Sequence, residues 1–189
     1  MGMGMGREMA TTDEPGATPN PDAAEQRAPA MPSADHAEFK RVLGQFATGV
    51  TLATTAAAGE WHGATANAVI SVSLDPPLVL LSIKVGSRMD AALRRGDNYA
   101  LSVLAAGQER VAQYFSDSSQ PHDRAAFAQF PHRTARTGAP LLEGALAQID
   151  CQIETVYPGG DHLLYLGRVV YLHAPGDGEP LLYLRGEFR

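Results

Sequence analysis

The segment His62 to Pro77, HGATANAVISVSLDPP, gathers small and hydroxyl-bearing residues where a strand runs into a proline-enforced turn. Thr65, Ala66 and Asn67, followed by Ser71, Val72 and Ser73, put short side chains beside the main chain. Short side chains let a flat ring lie against the backbone, whose N–H and C=O groups can pair with the polar edge of a pyrimidine-like ring. Hydroxyls suit a polyol chain and a phosphate. After the next apolar run, Ser82, Ile83, Lys84, Ser87 and Arg88 add hydroxyls and two cations. Ser87 stands three residues before Asp90, the spacing of a helix N-cap, where anions are favoured. The same alternation describes the solvent face of ordinary strands with Ser87 as a cap alone. Spacing leaves both readings open.

Two further groups could meet a ligand. Gly159-Gly160-Asp161-His162 reads as a hairpin tip that presents His162, although a turn needing two glycines accounts for the same residues. Tyr183-Leu184-Arg185-Gly186 places a cation after a strand, suited to a phosphate or simply to solvent. Cys151 lies in an apolar strand and reads as a small buried hydrophobe. Trp61 reads as core or interface. The sequence has no Gly-x-Gly-x-x-Gly after a strand, no Gly-Lys-Ser/Thr loop and no Gly-x-Ser-x-Gly elbow. Its 6 histidines never stand at i, i+4 spacing, so no metal site is expected.

The elements that must position these residues are mostly strands. Asp35 and Glu38 have capping-box spacing before Phe39, Val42, Leu43 and Phe46, which share a helix face up to Gly49. Strands follow at 50–55, 61–66, 69–73 and 78–83, the last a continuous apolar run expected to be buried on both faces. A short helix runs from Ser87 to Leu93, a strand over 99–104, and a helix over 108–115 with Val111 and Phe115 inward. Residues 116–140 read as a long polar loop, either functional or a cover. Strands 145–156 and 162–172 form a hairpin through Pro158–Asp161, and 181–184 is the last strand. Many strands, few helices and no βαβ alternation favour an antiparallel barrel.

The chain has 189 residues, 44% hydrophobic, enough for one core. Its net charge of −6 argues against a nucleic-acid binder. Residues 1–33 hold five acidic side chains against two arginines and lack Leu, Ile, Val, Phe, Tyr and Trp, so they read as a disordered tail before an ordered domain at 34–189. A single cysteine fits a reducing cytoplasm. No apolar stretch approaches the ~20 residues of a membrane helix.

In order along the chain stand Phe46-Ala-Thr-Gly-Val-Thr, Thr65-Ala-Asn, Ser71-Val-Ser-Leu-Asp-Pro-Pro-Leu-Val, Tyr99-Ala-Leu-Ser-Val-Leu, Pro140-Leu-Leu-Glu-Gly-Ala-Leu-Ala, Gly160-Asp-His and Pro180-Leu-Leu-Tyr-Leu-Arg-Gly. Together they resemble the flavin reductase-like, FMN-binding split-barrel family, and within it the reductase components of two-component flavin monooxygenases. The resemblance spans roughly residues 36–189. It implies a mainly β fold, a six-stranded antiparallel split β-barrel with a few short helices, forming a homodimer with flavin near the subunit interface. It implies that NADH, or NADPH, reduces FMN or FAD and that the reduced flavin serves a separate monooxygenase.

Carried over by position, Thr65, Ala66 and Asn67 would lie along the isoalloxazine and ribityl. Ser71, Val72 and Ser73 would hold ribityl and phosphate, and Ser82, Ile83, Lys84 and Ser87 would complete the phosphate site. His162 would contact the nicotinamide and orient it, with no obligatory base role. Tyr183 and Arg185 would serve the nicotinamide side. Ala64 and Ala68 stand where relatives often carry a larger residue and a serine, and Leu184 replaces a common histidine. Competing readings are a flavin carrier or sensor that does not turn over, and an oxidase like the pyridoxamine-phosphate oxidases, a related barrel.

Overall fold

The computed structural model describes residues 36–189 apart from Gly176. The expected acidic tail and the Asp35 half of the capping box lie outside the described residues. Helix α1 spans His36–Leu43 and buries none of its side chains. It stops well before Gly49, at which the sequence reading had ended it. A Cβ on Gly44 would lie 2.8 Å from the Lys40 carbonyl oxygen and 3.6 Å from Arg185 Cα, so the missing side chain lets the C-terminal segment cross here and the chain leave the helix. Gln45 and Phe46 close tight turns on Val42 and Leu43, and Thr48–Gly49 become a short strand, β1.

The body is a seven-stranded antiparallel sheet. In chain order its strands are β2 (Thr51–Ala57), β3 (Glu60–Ala66), β4 (Val69–Leu74), β5 (Pro77–Lys84), β6 (Asn98–Val103), β9 (Ala147–Gly159) and β10 (His162–His173). Their spatial order is β3-β2-β6-β9-β10-β5-β4. The two edge strands, β3 and β4, are consecutive in the chain and joined only by Asn67 and Ala68. Seven flat strands would hold those edges roughly 29 Å apart at ~4.8 Å per step, whereas the link reaches at most ~11 Å. The sheet must therefore curl until its edges meet without pairing: a barrel split between β3 and β5/β4.

Inside the barrel, Leu81, Ile83, Tyr99, Leu101, Cys151 and Tyr165 pack with Met89 and Leu93 of helix α2 (Arg88–Leu93). Burial pushes the Cys151 thiol up to about 12, in keeping with a small inert hydrophobe. Strand β5 alternates instead of being buried on both faces: Val79, Leu81 and Ile83 are buried, and Leu78, Leu80 and Ser82 are half-buried. Among the described residues no helix covers its outer face.

A second core lies outside β2 and β3, where helix α3 (Glu109–Ser116) turns Val111 and Phe115 inward. Residues 116–140 join this core and are not the structureless loop expected. They form helix α4 (Arg124–Phe127) and strand β7 (His132–Thr134), which pairs with β8 (Pro140–Leu142). Asp123 caps α4 by accepting from Ala125 N at 2.9 Å, and Phe127 and Phe130 supply the burial that orders it. The last expected strand is β11 (Leu182–Leu184). Arg185 and Gly186 turn it into β12 (Glu187–Phe188), and β11 also pairs with β1.

Candidate functional site

A cavity of about 440 Å³ opens at the split, within the size range of small-molecule clefts. Strand alternation sends His62, Ala64 and Ala66 of β3 to this side. Gly63 faces the outer core, where a Cβ would meet Phe115 at 2.9 Å, so β3 rests directly on α3. Thr65 also reaches the cavity, and its hydroxyl donates to the Ala112 carbonyl at 2.7 Å, tying β3 to α3. With Ala68 on the link, three alanines leave a low floor against which a planar ring can lie.

The opposite wall is the end of β5. Ser82, Ile83 and Lys84 line it, and Ser82 N donates to the Ala68 carbonyl at 3.0 Å. The following turn is built around Asp90. Its carboxylate accepts from Gly86 N at 2.8 Å, from Arg94 Nε at 2.8 Å and from the Tyr165 hydroxyl at 2.7 Å. Ser87 Oγ in turn accepts from Asp90 N at 3.1 Å. Burial alone would raise the Asp90 pKa, but the hydrogen bonds from Tyr165, Gly86 and Arg94 outweigh it and hold the group below the usual carboxylate range. The turn carrying Lys84, Ser87 and Arg88 is thereby fixed at the mouth.

The third side comes from the segment after α3. Arg88 donates to the Gln120 carbonyl at 3.1 Å and to the Ser118 carbonyl at 2.9 Å. His122 Nε2 lies 3.0 Å from the Asp117 carbonyl, so this nitrogen carries the proton and Nδ1 faces Arg88 Nη2 at 3.5 Å. Burial, then the Arg88 charge, lowers the His122 pKa. His62, with its ring 5.7 Å from that of His122, is pushed down to about 4 by burial and then by His122 and Arg88. Its Nε2 is buried and has no hydrogen-bond partner among the described residues. Both imidazoles are neutral at physiological pH.

His162 closes the remaining side. It pairs with Lys84 across β10 and β5, and its Nδ1 lies 2.8 Å from Asp161 Oδ1. That contact holds the Asp161 carboxyl below its ordinary value. His162, Asn67 and Ala68 also line a second cavity of about 710 Å³, between α1 and the β11–β12 turn, with Tyr183 and Arg185. Asn67 further lines a third, of about 370 Å³, with Thr65 and Tyr183. The three thus share Asn67 as a lining residue, and its Nδ2 donates to Thr48 Oγ1 at 3.2 Å. Among the described residues no carboxylate lines the first or the second, and Lys84, Arg88, Lys40 and Arg185 do. The walls suit anionic, planar ligands.

The structure brings together Thr65, Ala66, Asn67, Ser82, Ile83, Lys84, Ser87 and His162 at the first cavity, and sets Tyr183 and Arg185 at the second. Ser71, Val72 and Ser73 line neither cavity in the single chain. They lie on the outermost strand, β4, where a register shift between Ser71 and Ser73 breaks the pairing with β5, and Val72 points to solvent. Sequence reasoning missed Ser116, Ser118 and His122 at the first cavity and Phe39, Lys40 and Phe46 at the second. The only signals were the length of the 116–140 segment and an amphipathic helix with no stated partner.

The chain matches the flavin reductase like domain over residues 43–189. It is 44% identical over 154 residues to an NADH-dependent flavin reductase of Rhodococcus sp, covering 80% of this chain and 84% of that protein. Among solved structures it is similar to BorF, the flavin reductase component of a bacterial two-component tryptophan halogenase, with a TM-score of 0.78 and 37% identity over 82% of this chain and 97% of that one. It is also similar to the Streptomyces globisporus NADH:FAD oxidoreductase SgcE6 in complex with NAD and FAD fragments, with a TM-score of 0.77 and 38% identity over 86% and 96% of the two chains. A barrel split at β3, a carboxylate-free cleft at that split and these likenesses agree: the chain belongs to the flavin reductase-like family.

Proposed function

We propose that this protein is an NAD(P)H:flavin oxidoreductase that reduces FMN or FAD with NADH and passes the reduced flavin to a separate monooxygenase in the cytoplasm. The observation that carries the reading is the pair of cavities that share Asn67, Ala68 and His162, neither lined by a carboxylate among the described residues. One accommodates a ring on an alanine floor, and the other adjoins it through a histidine.

A bound flavin supplies the acceptor and a reduced nicotinamide the hydride, and no protein nucleophile is needed. The residues bind, orient and exclude water. Ala64, Ala66 and Ala68 would admit the flat ring, and Lys84, Ser87 and Arg88 would hold its phosphate. His162, held by Asp161, orients the donor where the two cavities join. Neutral His62 and His122 close the cleft without adding charge near the ring. The protein's contribution is proximity, with reacting atoms about 3–3.5 Å apart.

A homodimer is part of this reading. The apolar residues of α1 and of the outer strand β4 are exposed, Leu74 at 91% and Ile70 at 59%, which supports an interface between two copies. NADH oxidation by the purified protein, with FMN, FAD and riboflavin added in turn, tests the function. Flavin-dependent turnover is expected. A protein that takes up neither FMN nor FAD saturably in a titration refutes it.

A further inference from the structure

Two arginines far from the split have no counter-ion. Arg133 on β7 and Arg136 just beyond it are exposed, and among the described residues neither joins an ion pair. With Thr134, Ala135 and Tyr171 they line a groove of about 270 Å³ that has no carboxylate in its walls among the described residues.

Buried residues hold both cations in place. Gln148 of β9 is 2% exposed and donates from Nε2 to the Leu142 carbonyl at 2.6 Å. Its Oε1 accepts from Arg133 Nε at 3.0 Å and from Arg133 Nη2, which also donates to the Tyr171 hydroxyl at 2.8 Å. Three N–H groups of the fork are spent on neutral acceptors, and the two on Nη1 remain for an anion. The nearest carboxylate, Asp150, is fully buried and turned to the main chain. It accepts from Arg136 N at 2.7 Å and from Thr137 N at 2.9 Å, which pins the backbone that carries Arg136. The Arg136 side chain itself makes no hydrogen bond among the described residues.

The groove also borders an open strand edge. Glu143 N donates to the Pro131 carbonyl at 2.9 Å, so residues 131 and 133 face β8 in the ladder, and Thr134 turns its N–H and C=O the other way. Leu142 N, which donates to Ser102 Oγ on the far side of β8, obeys the same alternation. Among the described residues no strand pairs with the outer edge of β7. Gln148 and Tyr171 belong to β9 and β10, in the interior of the sheet order, and no residue of the groove lines the three cavities or belongs to α1 or β4. An occupant here would leave both the flavin cleft and the apolar faces open.

We propose that this groove is a docking surface for an extended acidic segment of a partner protein, which adds a short strand beside Thr134 and sets its carboxylates on Arg133 and Arg136. Main-chain pairing supplies affinity and the two cations supply selectivity for acidic residues. Arginines already fixed in position lose little freedom on binding. Under the reductase reading the partner is the monooxygenase, and docking away from the cleft would raise its local concentration without obstructing flavin exchange. The inference rests on that reading only for the identity of the partner.

The test uses a fluorescein-labelled dodecapeptide of alternating Glu and Val, with the Lys–Val peptide and a single-stranded oligonucleotide as comparisons, followed by anisotropy. Saturable binding of the acidic peptide alone is expected, weakened by added salt. Arg136→Gln and Arg133→Gln should each weaken it by about three- to fivefold, and the pair by roughly tenfold or more. Arg110→Gln, on α3, should leave it unchanged. Because the Arg136 side chain has no bond to lose, that variant separates docking from folding. The Thr134 amide should exchange more slowly with solvent deuterium when the peptide is bound. Flavin-dependent NADH oxidation should be unaltered in every variant. Absent binding, equal binding of the Lys–Val peptide, tighter binding of the oligonucleotide, an unchanged affinity in Arg136→Gln or an unprotected Thr134 amide overturns the proposal, and the reductase reading stands or falls separately on NADH oxidation.

Discussion

Replacing Asp90 with alanine tests whether the turn at the cleft mouth is held as described. Its carboxylate is shared by Tyr165, Gly86 N and Arg94. Tyr165 is only 2% exposed, so its hydroxyl would be stranded, at a cost of about 1–3 kcal/mol. Gly86 N and Arg94 are exposed and can turn to water, so each adds at most ~1 kcal/mol. The sum is about 1–5 kcal/mol, or roughly 2–20 °C in Tm for a domain of this size. Thermal unfolding followed by circular dichroism measures it. The pH dependence gives a second check. Asp90 is held below its ordinary value, so its contribution is complete above about pH 4, the unfolded carboxylate range, and is lost as pH falls through the folded-state value. The gap between wild type and variant should therefore close in acid. The flavin KM should rise with little change in kcat, because the turn carries Lys84 and Ser87. A Tm within about 2 °C of wild type at neutral pH would refute this account.

Three further outcomes are expected. His162→Ala should raise the NADH KM more than it lowers kcat in steady-state assays, since the ring orients and does not abstract a proton. A large loss of kcat at saturating NADH contradicts that role. His62 has a folded-state value of about 4, below its unfolded 6.5, so the unfolded chain binds more protons between the two and stability should fall as pH drops through this window. His62→Gln should flatten that part of the Tm–pH curve, and an unchanged slope rules the assignment out. Gly63→Ala should destabilise by about 1–3 kcal/mol in urea, because its Cβ would sit 2.9 Å from Phe115 and 3.0 Å from Phe127 in a packed aromatic cluster.

What the sequence made legible follows from the range of each signal. Strand alternation and turn residues are local, so β2 to β6 and the β9–β10 hairpin were readable, as was Ser87 as the cap of α2. The Thr65-Ala-Asn and Ser82–Ser87 walls could be named because each lies within one element and its turn. Their meeting could not be derived from periodicity, for it depends on sheet order, and it entered through the family resemblance. Arg88, His122 and His62 are joined by a contact between residues more than thirty positions apart, which leaves no periodic trace. The α1 face misled for the opposite reason. Phe39, Val42, Leu43 and Phe46 have core periodicity, yet all are exposed in the single chain, because periodicity marks a face to be covered without saying by what. Ser71 to Ser73 show the limit of the same signal, because hydroxyl alternation looks alike on a cleft wall and on an outer strand.

The split also explains why a site forms there and not elsewhere on the barrel. On β3 the Gly63 N–H points away from β2 and donates to the His122 carbonyl at 3.0 Å, so the segment after α3 covers the first part of this edge. Thr65 lies two residues on and has the same outward orientation in the ladder. No strand among the described residues pairs with its N–H and C=O, and Thr65 lines the cleft. An open edge is ordinarily a hazard, blunted by charge or covered. Here one end is covered by His122 and the other is walled by Lys84 and His162, which leaves a short stretch of main chain facing the cavity. Such an edge presents a donor and an acceptor a few ångströms apart, the pattern a pyrimidine-like ring presents in return. The geometry that prevents closure, a two-residue link between strands at opposite ends of the sheet, thus also supplies the recognition surface. A residue added to or removed from Asn67–Ala68 should therefore disturb flavin binding before it disturbs the fold.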